Sequence, residues 1–492
     1  MHLRELVAGI ETRAVVGESS LKLTGLHYDS RQIQPGNAFV AIRGEQVDGN
    51  HFIGTAQARG ALAVLSEAAA PAGHAGAWVQ VVNARRALAA ASANWFGQPS
   101  RELRLVGITG TNGKTTTAFL CESLLRGAGW RTGLLGTIEY HVGDVVIASP
   151  HTTPESYDLQ QLFRRMVDAR CGAAVLEVSS HALAMDRVWT TAFEVAVFTN
   201  LTQDHLDYHG TMAAYLEAKR RLFTGTGAGV PRHAVVNAED AATAAILRDF
   251  GGHIWRFGFG AEAELQASHL RQTPQGIAFQ LRGPEGWEAE IVSPLLGRVN
   301  ALNLLAAIGS GLALGLNREQ VVAGVCNLPR VPGRFERVYA GQPFTVVVDY
   351  AHTPDALRNV MAMARELVPA GGRVITLFGC GGDRDRGKRP LMGRAAGQGS
   401  DLVVLTSDNP RSEDPEAILA QAKAGLTDTP IPVHVEVDRR TAIRYAIAQA
   451  RPGDIVVLAG KGHEDYQILG QQKIHFDDRE EALAALTAGG DA

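Results

Sequence analysis

The stretch that decides the fold is Val106-Gly107-Ile108-Thr109-Gly110-Thr111-Asn112-Gly113-Lys114-Thr115-Thr116-Thr117, which ends a β-rich run and opens a helix after Lys114. That is the setting of a phosphate-binding loop. Glycines let backbone N–H groups wrap phosphate oxygens, and the helix start adds unpaired donors and a positive dipole end. Lys114 is then placed for the terminal phosphates and the Thr115 hydroxyl for Mg²⁺. The spacing departs from the standard pattern, because only two residues separate Gly110 from Gly113-Lys114 where four are usual. Strand, glycine turn, GKT and helix together still point to a nucleoside triphosphate, held by Gly110, Thr111, Asn112, Gly113, Lys114, Thr115 and Thr116.

Outward from the loop, strands alternate with helices: Leu105 to Thr109, Ala173 to Val178, Val195 to Thr199, then a helix from Met212 to Phe223. Such alternation implies a mostly parallel sheet. Residues 262–297 switch to short alternating segments around Pro274 to Gly276 and Pro284 to Gly286, a small antiparallel insertion, and helix resumes near Arg298. Upstream, short apolar runs and an alanine-rich helix end at Gly97-Gln98-Pro99-Ser100, a first boundary. Downstream, Pro329 to Gly333 marks a second, followed by strands at Phe344 to Asp349, Arg373 to Phe378, Asp401 to Thr406 and Asp454 to Ala459. In open α/β sheets ligands bind beyond the carboxyl ends of strands. Here those ends carry Asp349 with His352, the run Gly379 to Arg389, Asp408 to Arg411, and Gly460 to Glu464. The reading is an α/β protein of three domains, 1–98, 99–330 and 331–492. The central one is a P-loop ATPase-like parallel sheet and the last is Rossmann-like without GxGxxG.

Composition limits the function. In 492 residues, 47 Lys plus Arg face 51 Asp plus Glu, a net charge of −4 that excludes a polybasic nucleic-acid binder. Hydrophobic residues at 46% and charged residues at 20% describe a folded chain. Four scattered cysteines form neither a disulfide framework nor a zinc ribbon, which fits a reducing cytoplasm. Glu5 and Glu11 interrupt any export signal, and the most apolar stretch, Ala301 to Leu316, contains Asn303 and Ser310 and reads as a buried helix. Neither nucleic-acid binding nor membrane insertion is expected.

One helix carries a misplaced charge. In Met212 to Phe223 the apolar positions are 212, 215, 216, 222 and 223, and helical spacing puts Lys219 inside that stripe. Such a lysine must snorkel, pair with an acid, or lose its charge. Nearby strand ends crowd acids and imidazoles, in Glu177-Val178-Ser179-Ser180-His181 and in Asp204-His205-Leu206-Asp207-Tyr208-His209. Beside a phosphate loop they suggest a cation site.

In order, GTNGKTTT, EVSSHAL, TNLTQDHLDYHG, EAKRRLF, Asp349 to Asp355 and Gly381 to Pro390 resemble the Mur ligases, across nearly the whole chain. These are cytoplasmic enzymes of peptidoglycan synthesis, tied to cell-wall growth, cell shape and cell division. They use ATP to add an amino acid to a UDP-linked muramoyl peptide. Asp408-Asn409-Pro410-Arg411 is similar to the motif of members that add meso-2,6-diaminopimelate to UDP-MurNAc-L-Ala-D-Glu. The resemblance implies a carbamylated Lys219, with Thr115 and Glu177 on one Mg²⁺ and Glu177, His205 and Lys219 around a second. It assigns catalysis to Lys114, Glu177, His205 and Lys219, and adds Asn300, Arg334 and Asp349 to the ATP contacts. The UDP end would meet Tyr28, Ser30, Glu45, Gln46 and Val47. The muramoyl dipeptide would meet His151, Thr152, Thr153, Ser179, Met185 and Arg187, and diaminopimelate would meet Arg389, Asp408, Asn409, Pro410, Arg411, Gly460 and Glu464. Tyr28 stands where an aliphatic residue is usual, His151 beside the threonines, and Met185 where a glutamine would bind. By residue type alone Ser30, Thr152, Thr153 and Ser179 serve equally as turn or cap side chains.

The implied enzyme is a monomer acting on small molecules through an acyl phosphate. Folylpolyglutamate synthetase shares the loop and the ligase chemistry, but the turns Tyr28-Asp29-Ser30-Arg31 and Gly44 to Gly49 favour a UDP-sugar. A nucleotide-switched binding module gives no reason for Lys219.

Overall fold

The apolar run after Arg104 becomes the strand Arg104–Thr109, buried from Leu105 onward. Burial on both faces explains why it reads as continuous apolar sequence instead of alternating. The computed structural model describes residues 1–44, 47–326 and 331–488. It places this strand inside a sheet ordered Val145–Ala148, Glu139–Val142, Thr132–Leu135, Ala173–Glu177, Arg104–Thr109, Val195–Phe198, His233–Asn237, His253–Gly258. From Thr132–Leu135 to His253–Gly258 all neighbours are parallel, as the alternation predicts. The edge hairpin is antiparallel. Its His141 lies between two carboxylates, 2.7 Å from Glu122 on the phosphate-loop helix Lys114–Gly127 and 2.9 Å from Glu139. The helix Met212–Thr224 is capped by Thr211, and it buries Tyr215, Ala218, Lys219, Leu222 and Phe223.

The amino-terminal segment builds a second sheet, ordered Thr12–Val16, Ala77–Val81, Ala63–Ser66, Asn37–Val40, Gly25–His27. Only the first strand is antiparallel to its neighbour. The alanine-rich run forms the helix Ala84–Trp95, started by Asn83 accepting from Arg86 N. The Tyr28 hydroxyl donates to Asp158 at 2.7 Å, and Arg85 pairs with Glu155 at 3.1 Å.

The chain divides into two compact units, Met1–Gln266 with Arg282–Trp287 and Leu302–Asn327, and Ala267–Leu281 with Glu288–Ala301 and Leu328–Ala492. The insertion forms three strands, Leu265–Thr273, Gly276–Arg282 and Glu288–Ser293. The expected boundary at 330 lies outside the described residues. A third sheet in the second unit is ordered Glu336–Val338, Thr345–Asp349, Ile455–Ala459, Val374–Phe378, Leu402–Leu405, Val433–Val435, parallel apart from its first pair. The late strand Ile455–Ala459 inserts between two earlier ones. The loops after Asp349, Ala459, Phe378 and Leu405 therefore lie side by side along one edge.

Candidate phosphate and amino-acid sites

The phosphate loop is held tight by close contacts. A Cβ on Gly110 would lie 1.8 Å from Thr199 Oγ1. Gly113 has φ +85°, and a Cβ there would lie 2.6 Å from Asn303 Oδ1. Only glycine satisfies both constraints at Gly113. Lys114 Nζ donates to the carbonyls of Gly110 and Thr111, each at 2.9 Å. Asn112 N donates to Asn200 Oδ1 at 2.9 Å, the Thr111 hydroxyl to Thr202 O at 3.2 Å, and Thr116 is buried behind them.

Beside this loop the expected cation ligands fall into two groups. Glu177, 0% exposed at the end of its strand, accepts from the Thr115 hydroxyl at 2.9 Å, from Thr137 N at 2.8 Å and from the Thr137 hydroxyl at 3.1 Å. Among the described residues no basic side chain pairs with it. A buried carboxylate offered only neutral donors fits a bound cation. Lys219 forms the second group. It is 1% exposed, and its Nζ donates to Gly110 O at 2.7 Å, the same oxygen that Lys114 uses. Burial first, and then the Lys114 charge, push its amine well below the ordinary lysine pKa. Its nitrogen stands 4.3 Å from the centre of the Tyr215 ring, and the His205 ring is 6.0 Å from that same ring. His205 has φ +52° and its pKa is lowered by burial, with Lys114 and Lys219 contributing and Asp204 opposing.

Among the described residues no three His, Cys, Asp or Glu side chains gather as a cation cage. Glu177 and the Thr115 hydroxyl, in contact at 2.9 Å, are oxygen donors of the kind a hard cation takes.

Thr153, Ser179 and Arg187 are brought together, with Thr152 and Met185 at their edges. Thr153 donates to Glu177 O at 2.8 Å and accepts from Ser179 N at 3.1 Å, and Arg187 donates to Thr153 O at 3.1 Å. Thr152 meets Thr137 at 3.1 Å, and Met185 Sδ accepts from Arg187 at 3.6 Å. Ser179 also caps the helix Ser180–Ala184. The cap role open to it in sequence is real, without excluding substrate contact by the same hydroxyl. His151 is exposed, and its carbonyl accepts from the Tyr140 hydroxyl. Ser30 is buried at the start of a short 3₁₀ turn, and Val47 is exposed. Glu45 and Gln46 lie outside the described residues. The Tyr28 hydroxyl bonds to Asp158, a contact that an aliphatic residue could not make.

In the second unit, Asp349 accepts from Phe335 N at 2.7 Å and Ala351 N at 2.8 Å, while burial raises its carboxyl pKa. Arg334 lies over the Tyr350 ring at 5.1 Å, and Asn300 donates to Leu296 O at 2.7 Å. Asp408, Asn409 and Glu464 converge: Asn409 Nδ2 donates to Glu464 at 2.9 Å. Gly460, with φ +118°, donates its N–H to Asp349 O at 3.0 Å. The Pro410 carbonyl lies 1.8 Å from where a Cβ on Gly382 would stand. Arg411, also at positive φ, donates to Gly382 O at 2.8 Å and pairs with no carboxylate among the described residues. Arg389 differs. Its 0% exposed guanidinium is committed to Glu413 at 2.8 and 3.1 Å and to Gln421 at 2.8 Å, so it shapes the loop through these bonds.

Sequence reasoning missed three groups. Tyr215 lies one helical turn before Lys219, and its hydroxyl meets Thr111 at 3.1 Å. Its i−4 spacing was the available signal. Lys461 is buried among Asp408, Asn409 and Glu464. Arg439 pairs with Asp478 at 2.6 Å and donates to Ser407 O and Ala459 O, tying together the two recognition strand ends. No local pattern announces that last pairing.

Family models match three segments: the Mur ligase family catalytic domain at residues 22–95, the Mur ligase middle domain at 108–311, and the Mur ligase glutamate ligase domain at 333–462. A UDP-N-acetylmuramoyl-L-alanyl-D-glutamate--2,6-diaminopimelate ligase of Solibacter usitatus is 51% identical, over 100% of this chain and 99% of its own. One of the same name from Geobacter sulfurreducens is 45% identical over 99% of both. A solved structure titled as that ligase superposes with TM-score 0.71 at 35% identity, covering 99% of each chain.

Proposed function

The chain belongs to the Mur ligase family, and from that premise we propose that it joins meso-2,6-diaminopimelate to UDP-MurNAc-L-Ala-D-Glu at the expense of ATP, a step of peptidoglycan precursor synthesis. The observation that carries the amino-acid choice is Arg411. Its half-buried guanidinium has no carboxylate partner of its own among the described residues, and Asn409 and Glu464 stand on the adjoining loop ends. A planar fork left open in this way suits the distal carboxylate that distinguishes diaminopimelate from lysine.

A carboxylate is a poor electrophile, so the D-Glu side chain must be activated. Its oxygen attacks the γ-phosphorus of ATP, ADP leaves, and the acyl phosphate is attacked by the amine of diaminopimelate with release of phosphate. Lys114 stabilises charge on the transferred phosphoryl group. Thr115, Glu177, His205 and Lys219 as a carbamate would hold Mg²⁺, which lowers the repulsion between phosphate and carboxylate. Thr152, Thr153, Ser179 and Arg187, with His151 and Met185 at the rim, orient the dipeptide. Tyr28, Ser30 and the Glu45 to Val47 turn meet the UDP end, and Asn300, Arg334 and Asp349 add to the nucleotide site. Asp408 to Arg411, Gly460 and Glu464 take the amino acid, on a loop shaped by Arg389.

The reading carries with it a monomeric cytoplasmic enzyme serving cell-wall growth and division. Among the described residues no helix is long and apolar enough to cross a membrane. Phosphate release with ATP, the UDP-dipeptide and a panel of amino acids tests it. Release that is strongest with meso-diaminopimelate is expected, and release independent of any amino acid would overturn it.

A further inference from the structure

Lys461 is 0% exposed, yet it is a lysine. Its Nζ meets Asn409 Oδ1 at 3.3 Å, Asp408 Oδ1 at 3.5 Å and Glu464 Oε2 at 3.5 Å. Of the three N–H donors of an ammonium, two find acceptors in Asn409 and Glu464, while the Asp408 carboxylate stands at ion-pair distance with its buried Oδ1 in no hydrogen bond. The Asn409 amide is fixed in consequence: its oxygen takes Lys461 and Ile468 N (3.0 Å), so its nitrogen must face Glu464. The same hairpin strand, Tyr466–Leu469, holds the main chain of Arg411, whose N–H donates to Ile468 O at 3.1 Å.

Charge bookkeeping points further. Asp408 and Glu464 bring two negative charges and Lys461 one positive, leaving one surplus negative charge in a group whose Asn409 also gives its main-chain carbonyl to the Arg411 guanidinium at 3.4 Å. That pattern is the electrostatic complement of an α-amino-carboxylate end, a carboxylate for Arg411 and an ammonium for the surplus. We propose that Lys461 is a positioning residue for amino-acid selection, which fixes the Asn409 amide and cancels one of the two carboxylates so that a zwitterionic end fits. The assignment rests on the ligase reading above. Burial and the Asp408 charge hold the Glu464 carboxyl above its ordinary pKa, as expected where two acids crowd one cation.

The test is a charge cycle in full-length enzyme, with KM measured separately for meso-diaminopimelate and for ATP. Lys461→Met should raise the diaminopimelate KM by about tenfold or more, as removal of one member of a buried charge group does, with the ATP KM essentially unchanged. Asp408→Asn alone should also raise it, because the surplus charge is lost. The double variant restores the balance and should recover much of the loss, a coupling that a purely structural lysine would not show. Unchanged diaminopimelate KM in Lys461→Met, parallel loss of both KM values, or strict additivity in the double variant would each overturn the proposal. Should Lys461→Met fail to fold, a normal diaminopimelate KM in Asp408→Asn overturns it alone. If the wild type prefers another amino acid, the ligase reading falls, and the same cycle run with that amino acid still decides the role of Lys461.

Discussion

Replacing Lys219 with alanine is expected to abolish ligation, because this side chain is read as binding CO₂ to become a carbamate. Lys219 and Lys114 place their nitrogens 2.7 and 2.9 Å from one carbonyl oxygen, that of Gly110. Two nitrogens on one oxygen lie within about 6 Å of each other, where like charges repel by about 3 kcal/mol at an effective dielectric of about 20. Burial and this repulsion push the Lys219 pKa well below the ordinary lysine value and so favour the neutral amine, the form that attacks CO₂. Once carbamylated, the side chain bears the opposite charge, and the same separation yields an attraction of about 3 kcal/mol. Relative to the neutral amine, that attraction favours the modified form. Phosphate release in the complete reaction should fall by on the order of 10²-fold or more in Lys219→Ala, the scale set by loss of a group that stabilises transition-state charge. Added formate or acetate should restore part of it by supplying the missing oxygens. The intact mass of the native wild type should exceed the sequence mass by one CO₂. Fully active wild-type enzyme with a bare amine, or Lys219→Ala at a rate near that of the wild type, would refute the reasoning.

Lys114→Ala should eliminate ATP-dependent ligation while the protein remains folded, measured by amide product and thermal melting; near wild-type product formation would remove the phosphate-loop assignment. Arg411→Ala should weaken use of diaminopimelate by on the order of 2 kcal/mol, the lower end for a half-buried charge partner, with ATP affinity unchanged, and a preference over L-lysine that survives the change would contradict it. For His141, burial opposes the charge, but Glu122 and Glu139 overcome it and raise the pKa above the ordinary imidazole value. A raised folded-state pKa stabilises the fold at pH below about 6.5 and loses that contribution as pH rises through the shifted value. His141→Gln should therefore lower stability in denaturant titrations more at pH 6 than at pH 9, and an equal loss at both would refute the pairing.

Much of the site was legible because its chemistry follows local periodicity. Lys219 stood out because a 3.6-residue stripe exposes a charge placed among apolar neighbours, and the structure buries it there. Glu177 was legible as the acid at the end of an apolar strand. Arg389 and Arg411 look alike in sequence, each an arginine on a loop after a strand. Only the fold reveals that Glu413, 24 residues downstream, occupies the first fork. Lys461 escaped notice for a similar reason: its partners Asn409 and Asp408 lie more than fifty positions away. The strands Glu336–Val338 and Val433–Val435 are three residues each, too short for alternation to register.

The phosphate loop and the residues assigned to amino-acid choice stand on different sheets, each with its own apolar core. A lineage can therefore change which diamino acid enters its wall by exchanging a few side chains at the strand ends of one sheet. The energy-coupling machinery on the other sheet need not be rebuilt. On both sheets the backbone is fixed by glycines whose neighbours leave no room for an added methyl group, Gly110 in the phosphate loop and Gly382 against Pro410, so such change is confined to the side chains that the backbone carries.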